Sequence, residues 1–139
     1  MRRIREKEVA RFTRVAIQRM EDAQHLLRAE RNTGAIYLAG YAVECGLKAL
    51  LLSSAANEAA CLKIIASFRG NDGHNLEALK SRYLKQSRVR IPEEVVGHLL
   101  YVGIWTTDLR YDPTNFSARE AERFLDSARQ VLVWIRRQI

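Results

Sequence analysis

The chain has 139 residues, of which 47 % are apolar and 28 % charged, with a formal net charge of +7 and a pI near 9.8. That length and apolar share fit one domain, residues 1–139, with a real core; the composition argues against disorder, and two prolines and seven glycines leave little room for a sandwich of many turns. The basic balance favours anionic partners, nucleic acid first, although an ordinary solvated basic surface has the same composition.

The N-terminal stretch MRRIREKEVARF lacks the apolar run of a secretory leader. Its first eight residues read as a basic tail that frays. Over residues 5–30, Val9, Phe12, Ala16, Met20, Ala23 and Leu27 recur at spacings of three and four, the single stripe of an amphipathic helix. Arg5, Arg11, Arg14 and Arg28 occupy its other face. A short loop follows, with Asn32 or Thr33 expected to cap the next helix, so the two helices form an antiparallel hairpin.

That second helix, over residues 33–52, is almost wholly apolar apart from Tyr37, Tyr41, Glu44 and Lys48. Offsets of 4, 7 and 11 place these four on one stripe, within about 60° of each other at roughly 100° per residue. Glu44 and Lys48 are the only charges between Arg31 and Glu58. At roughly 2.5–3.5 kcal/mol each near a bilayer centre, they argue against a membrane span. The helix therefore belongs in the middle of a bundle. Gly40 and Gly46 each cost roughly 1 kcal/mol against alanine and are expected to let another helix approach closely. Cys45 and Cys61, outside any C-x-x-C pair, read as free buried thiols of a reducing, cytoplasmic setting.

Downstream, residues 57–68 form a short helix with Leu62, Ile64 and Ile65 inward, and residues 70–73 form a turn. A helix from about 75 to 86 carries Leu76, Leu79, Tyr83 and Leu84. Lys80, Arg82, Lys85, Arg88 and Arg90, with Tyr83 among them, are a candidate RNA-backbone patch, or a solvated helix face. Pro92 opens a helix holding Val95, Val96, Leu99, Leu100 and Ile104. Ser117 and Glu120 make a capping box for a last helix that turns Phe124, Ala128, Leu132 and Ile135 inward. No alternating strand pattern competes. The fold expected is an all-α, up-and-down bundle of four long helices with one or two short ones.

Three stretches together resemble the HEPN family of small helical domains associated with nucleotides and RNA. Tyr37–Leu51 reads YLAGYAVECGLKALL, close to the family's second helix. Gly73-His74-Asn75-Leu76 resembles its short H-D/N-L segment, and Leu109-Arg110-Tyr111-Asp112-Pro113 resembles its Arg-Tyr turn before the last helix. The likeness spans roughly residues 15–137. It implies a homodimer and a module that often works beside a minimal nucleotidyltransferase on a separate chain, in some cases within toxin–antitoxin or defence systems. This chain carries no nucleotidyltransferase signature of its own.

Many HEPN proteins are metal-independent endoribonucleases with an Arg-x4–6-His motif. The histidine moves protons at the ribose 2′-OH or the leaving oxygen, and the arginine steadies the charged phosphorane. Here no histidine follows Arg110. Arg69 and His74 have the spacing but lie earlier in the chain, where His74 has the alternative of capping or packing at a helix start. Arg19 and His25 match inside the first helix by coincidence. Arg110 can fork onto Glu44 and seal the stripe as a buried network. Alternatively Tyr37, Tyr41, Glu44, Lys48, Arg110 and Tyr111 line a ligand site in which tyrosines stack on a base and cations hold phosphate. Zinc ligand spacing, a Walker loop and a dinucleotide fingerprint are missing, so neither a metal nor a cofactor is expected. Three functions follow from these readings: a nucleotide- or RNA-binding module, a ribonuclease using Arg110 or Arg69 with His74, or a dimerising scaffold without a ligand.

Overall fold

A computed structural model describes residues 2–105, 109–111, 113 and 115–139, apart from the side chains of residues 2, 3, 71, 104, 105 and 110. Among the described residues the fold is all-α, with six helices, and 83 % of the chain is helical. The helices are α1 (Arg2–Arg28), α2 (Asn32–Ser53), α3 (Glu58–Ser67), α4 (Leu76–Ser87), α5 (Glu93–Trp105) and α6 (Ala118–Gln138). Two 3₁₀ turns, Asn71–His74 and Leu109–Tyr111, precede α4 and α6.

α2 is the centre of the molecule. It packs most extensively on α1 and α6, and also meets α3, α4 and α5. Its Ala35, Ile36, Ala39, Val43, Leu47, Leu50, Leu51 and Leu52 are all but inaccessible. At about 1.5–3 kcal/mol per fully buried large aliphatic side chain, this one helix supplies much of the drive for folding. α2 is long and apolar enough to cross a membrane, but here the bundle itself encloses it. Gly46 shows how closely it is wrapped. A Cβ there would sit 2.7 Å from Leu132 Cδ2 and 3.1 Å from Ile135 Cδ1 of α6.

The helix ends follow local chemistry. Asn57 Oδ1 accepts from Ala60 N, and Asn75 Oδ1 accepts from Ala78 N, capping α3 and α4. Ser117 and Glu120 form the full capping box of α6. α2 departs from expectation, because Arg31 occupies its N-cap with no side-chain bond. Asn32 and Thr33 are used elsewhere. Asn32 Nδ2 donates to the Phe116 carbonyl at 2.8 Å, and Phe116 N donates to Thr33 Oγ1 at 3.5 Å. Both side chains thus tie the segment entering α6 to the start of α2.

Other details differ too. Residues 2–8 are helical rather than frayed, and Arg5 Nη1 donates to the Ala55 carbonyl at 2.7 Å. Leu62 points to solvent, because Cys61 and Ile64 take the inner face of α3. Pro92 lies just outside α5, its carbonyl accepting the first bond, from Val96 N. Tyr83 is buried with its ring edge-on to Trp134, so it is not an exposed member of the basic patch.

The α1–α2 link is a Schellman turn. Glu30 N donates to Leu27 O and Arg31 N to Leu26 O, with Glu30 left-handed at φ 61°. Glycine normally takes that position, since a Cβ costs roughly 1–2 kcal/mol there. Replacing Glu30 by glycine should therefore stabilise the fold by about 0.5–1 kcal/mol, read as a higher urea midpoint at unchanged slope.

Candidate functional site

The polar stripe of α2 runs from the surface into the core. Tyr37 and Tyr41 are 37 % and 39 % exposed, whereas Glu44 and Lys48 are 7 % and 6 % exposed. The two readings of the stripe thus divide along its length, into an open tyrosine end and a sealed charged end.

At the sealed end Lys48 Nζ donates to Glu44 Oε2 at 3.1 Å, an i,i+4 ion pair out of water. The ammonium also lies 5.0 Å from the centroid of Phe68 and 5.9 Å from that of Phe12. These rings meet edge to face at 5.5 Å. Aromatic faces carry negative potential, so the two rings help replace the water Lys48 gave up. Phe12 belongs to α1 and Phe68 follows α3, so the ammonium sits where three helices converge.

The same carboxylate oxygen has a second partner. His74 Nδ1 lies 3.2 Å from Glu44 Oε2, and the His74 side chain is 66 % exposed. A carboxylate only accepts, so Nδ1 carries the proton of this bond and Nε2 is the other ring nitrogen. The 3₁₀ turn Asn71–His74 brings the imidazole there. Gly73 N donates to Gly70 O and Asn75 N to Asp72 O. The turn is pressed so closely on the end of α3 that a Cβ at Gly73 would lie 2.2 Å from the Phe68 carbonyl oxygen. Only glycine fits there, and the next residue is the one that reaches Glu44.

Cys45 adjoins this cluster. Burial first, and then the Glu44 charge, push its thiol up to about 11, with Lys48 and Arg19 opposing. Tyr41 is raised chiefly by Cys45, then by burial and Glu44. Both cysteines are free and buried.

The remaining sequence candidates scatter. Arg69 is exposed at the end of α3, and among the described residues no hydrogen bond or ion pair joins it to His74. Arg19 pairs with Asp22 at 3.0 Å and His25 is exposed in the last turn of α1. The backbone of Leu109–Tyr111 packs against α2 and Tyr111 is exposed, but the side chain of Arg110 lies outside the described residues, as does Asp112. In the basic patch, Lys80 is mostly covered and tied to Glu77 at 2.7 Å. Lys85, Arg88 and Arg90 are exposed and Arg82 is half-buried.

Two features escaped the sequence. Phe12 reads only as part of the apolar stripe of the first helix and nothing in the sequence reading singles out Phe68, and only their convergence makes them a seat for Lys48. His98 Nδ1 lies 3.0 Å from Ser127 Oγ, joining α5 to α6 across 29 residues. Among the described residues no group of three or more His, Cys, Asp or Glu side chains is placed to hold a metal.

Breaking the charged pair should be costly and removing it cheap. Glu44→Gln or Lys48→Met alone should cost about 3–5 kcal/mol in urea unfolding, and the double variant far less than their sum. At pH 8 a thiol held near 11 has about a hundredfold less thiolate than an ordinary cysteine. Ellman's reagent should therefore titrate Cys45 at least about a hundredfold more slowly in the native protein than in urea.

The HEPN domain family model matches residues 9–138. No curated protein and no solved structure matches the chain.

Proposed function

The chain belongs to the HEPN domain family, and we propose that it is a nucleotide- or RNA-binding module, cytoplasmic and homodimeric, that acts with a nucleotidyltransferase carried on a separate chain. A toxin–antitoxin or defence role is the setting this pairing suggests. One observation carries the binding reading. The open end of the α2 stripe sets two half-exposed tyrosines one turn apart, and beside the stripe stands an exposed imidazole anchored on a buried carboxylate. Tyr37 and Tyr41 offer ring faces to bases, each stacked base being worth roughly 1–3 kcal/mol. His74, Lys85, Arg88 and Arg90 offer hydrogen bonds or charge to phosphate, and the net charge of +7 draws a polyanion to the surface.

The ribonuclease reading rests on one part of that arrangement, the His74–Glu44 bond. A carboxylate on one imidazole nitrogen leaves the other as a proton acceptor, which is what activation of a 2′-OH needs. The scaffold reading gains nothing specific, since Tyr41 opens to solvent instead of closing the network.

Fluorescence anisotropy with a labelled single-stranded RNA and with a labelled nucleotide, in EDTA, tests the proposal. Binding should weaken steeply with salt. Tyr41→Ala and His74→Ala should each weaken it about five- to fiftyfold, and Lys80→Ala should change it little because Glu77 already holds that charge. Recovery of intact RNA is the expected end point. RNA cut by the wild type and spared by His74→Ala would install the ribonuclease reading, and no binding in any arm would leave the scaffold.

A further inference from the structure

We propose that His74 is a phosphoryl acceptor, a nucleophilic imidazole that takes a phosphoryl group at Nε2 from an activated donor such as a phosphoric anhydride or a phosphoramidate. The chain has three histidines, and their surroundings differ. His98 is half-buried with Nδ1 on a serine hydroxyl. His25 is exposed in the last turn of α1, and among the described residues no carboxylate contacts it. His74 alone among them combines exposure with a carboxylate on Nδ1.

That carboxylate is unusual in its fixity. Glu44 is buried on the central helix, and Lys48 grips the same oxygen from below. The carboxylate cannot swing into solvent to release the imidazole, and the close seat of Gly73 on the Phe68 backbone limits movement of the turn that carries it. In the neutral imidazole this bond places the proton on Nδ1, which leaves the lone pair on Nε2 of a side chain that is 66 % exposed.

The step balances without any proton leaving the site. The Nε2 lone pair attacks phosphorus, a P–N bond forms, and the bond from phosphorus to its leaving group breaks. The leaving group departs with that electron pair, as a nucleoside diphosphate from a triphosphate, or as ammonia from phosphoramidate after taking a proton from solvent. The ring becomes a phospho-imidazolium that still carries its Nδ1 proton. Its new positive charge faces the Glu44 carboxylate at 3.2 Å, where attraction opposes breakdown.

This inference rests on the His74–Glu44 geometry used in the reading above, but not on RNA binding. Phosphoramidate probes the nucleophilicity of the imidazole alone, whereas the RNA titration probes binding by the tyrosines, the basic side chains and His74 together, so either can fail without the other. Full-length protein would be treated with potassium phosphoramidate at neutral pH, and acid-labile adducts mapped by peptide mass spectrometry. Phosphorus NMR would distinguish Nε2 from Nδ1 substitution. His74 should be labelled at Nε2 about tenfold faster than His25, the internal control, and Glu44→Gln should bring the two rates together. Equal rates in the wild-type protein, or substitution at Nδ1, would overturn the proposal. That comparison lies within one folded sample, so it holds even if Glu44→Gln does not fold.

Discussion

Everything around the α2 stripe depends on one ion pair that has been taken out of water. Glu44 and Lys48 lie one turn apart near the middle of the most buried helix, and neither retains appreciable exposure. Desolvating two charges costs several kcal/mol per ion, and their mutual attraction repays that only where geometry and further contacts are good. The structure supplies the further contacts asymmetrically. Lys48 rests against the rings of Phe12 and Phe68, while Glu44 gains the imidazole of His74. The pair thereby links α1, α2, the end of α3 and the turn leading into α4. An apolar replacement would fill the same volume, but it would present no acceptor to His74.

The consequence is a polar stripe graded from interior to surface. Glu44 and Lys48 hold their charges inside, and the His74 imidazole and the Tyr37 and Tyr41 rings stand at the surface. Small residues make the gradation possible. Gly46 lets Leu132 and Ile135 close over the back of α2, opposite the polar seam, and Gly73 lets the 3₁₀ turn lie on the Phe68 backbone. A side chain at Gly46 would push α6 off α2, and one at Gly73 would lift the turn that carries His74 to Glu44. Membership of the HEPN family accounts for the bundle. The chemistry proposed for it comes from this arrangement of one carboxylate between a hidden cation and an open imidazole.

Most of the architecture was legible in the residues, because helices of this kind announce themselves by period and punctuation. The apolar stripe of α1, the capping box at Ser117 and Glu120, and the inward row Phe124, Ala128, Leu132 and Ile135 all appear as read. The misreadings have two causes. Asn32 and Thr33 have good capping chemistry, yet the backbone of Phe116, 83 or 84 residues away, competes for both. Leu62 has the right hydrophobicity for the core but the wrong phase relative to Cys61 and Ile64. Tyr83 lies among basic residues in sequence and against Trp134 in space. For Asn32, Thr33 and Tyr83 a distant partner outweighed the local preference, and for Leu62 the phase of the helix did.

By itself the sequence determined the fold class, the family, the central place of α2 and the i,i+4 pairing of Glu44 with Lys48, since all of these depend on spacing within one helix or on local pattern. It did not determine what the pair does. Whether the stripe was groove or sealed network, whether His74 capped a helix or met a carboxylate 30 residues earlier in the chain, and where Lys48 would find its aromatic faces were decided only by packing. Those contacts join segments whose separation along the chain carries no periodic signal. They form only once burial of the apolar faces has brought α1, α3 and the turn before α4 onto the same side of α2.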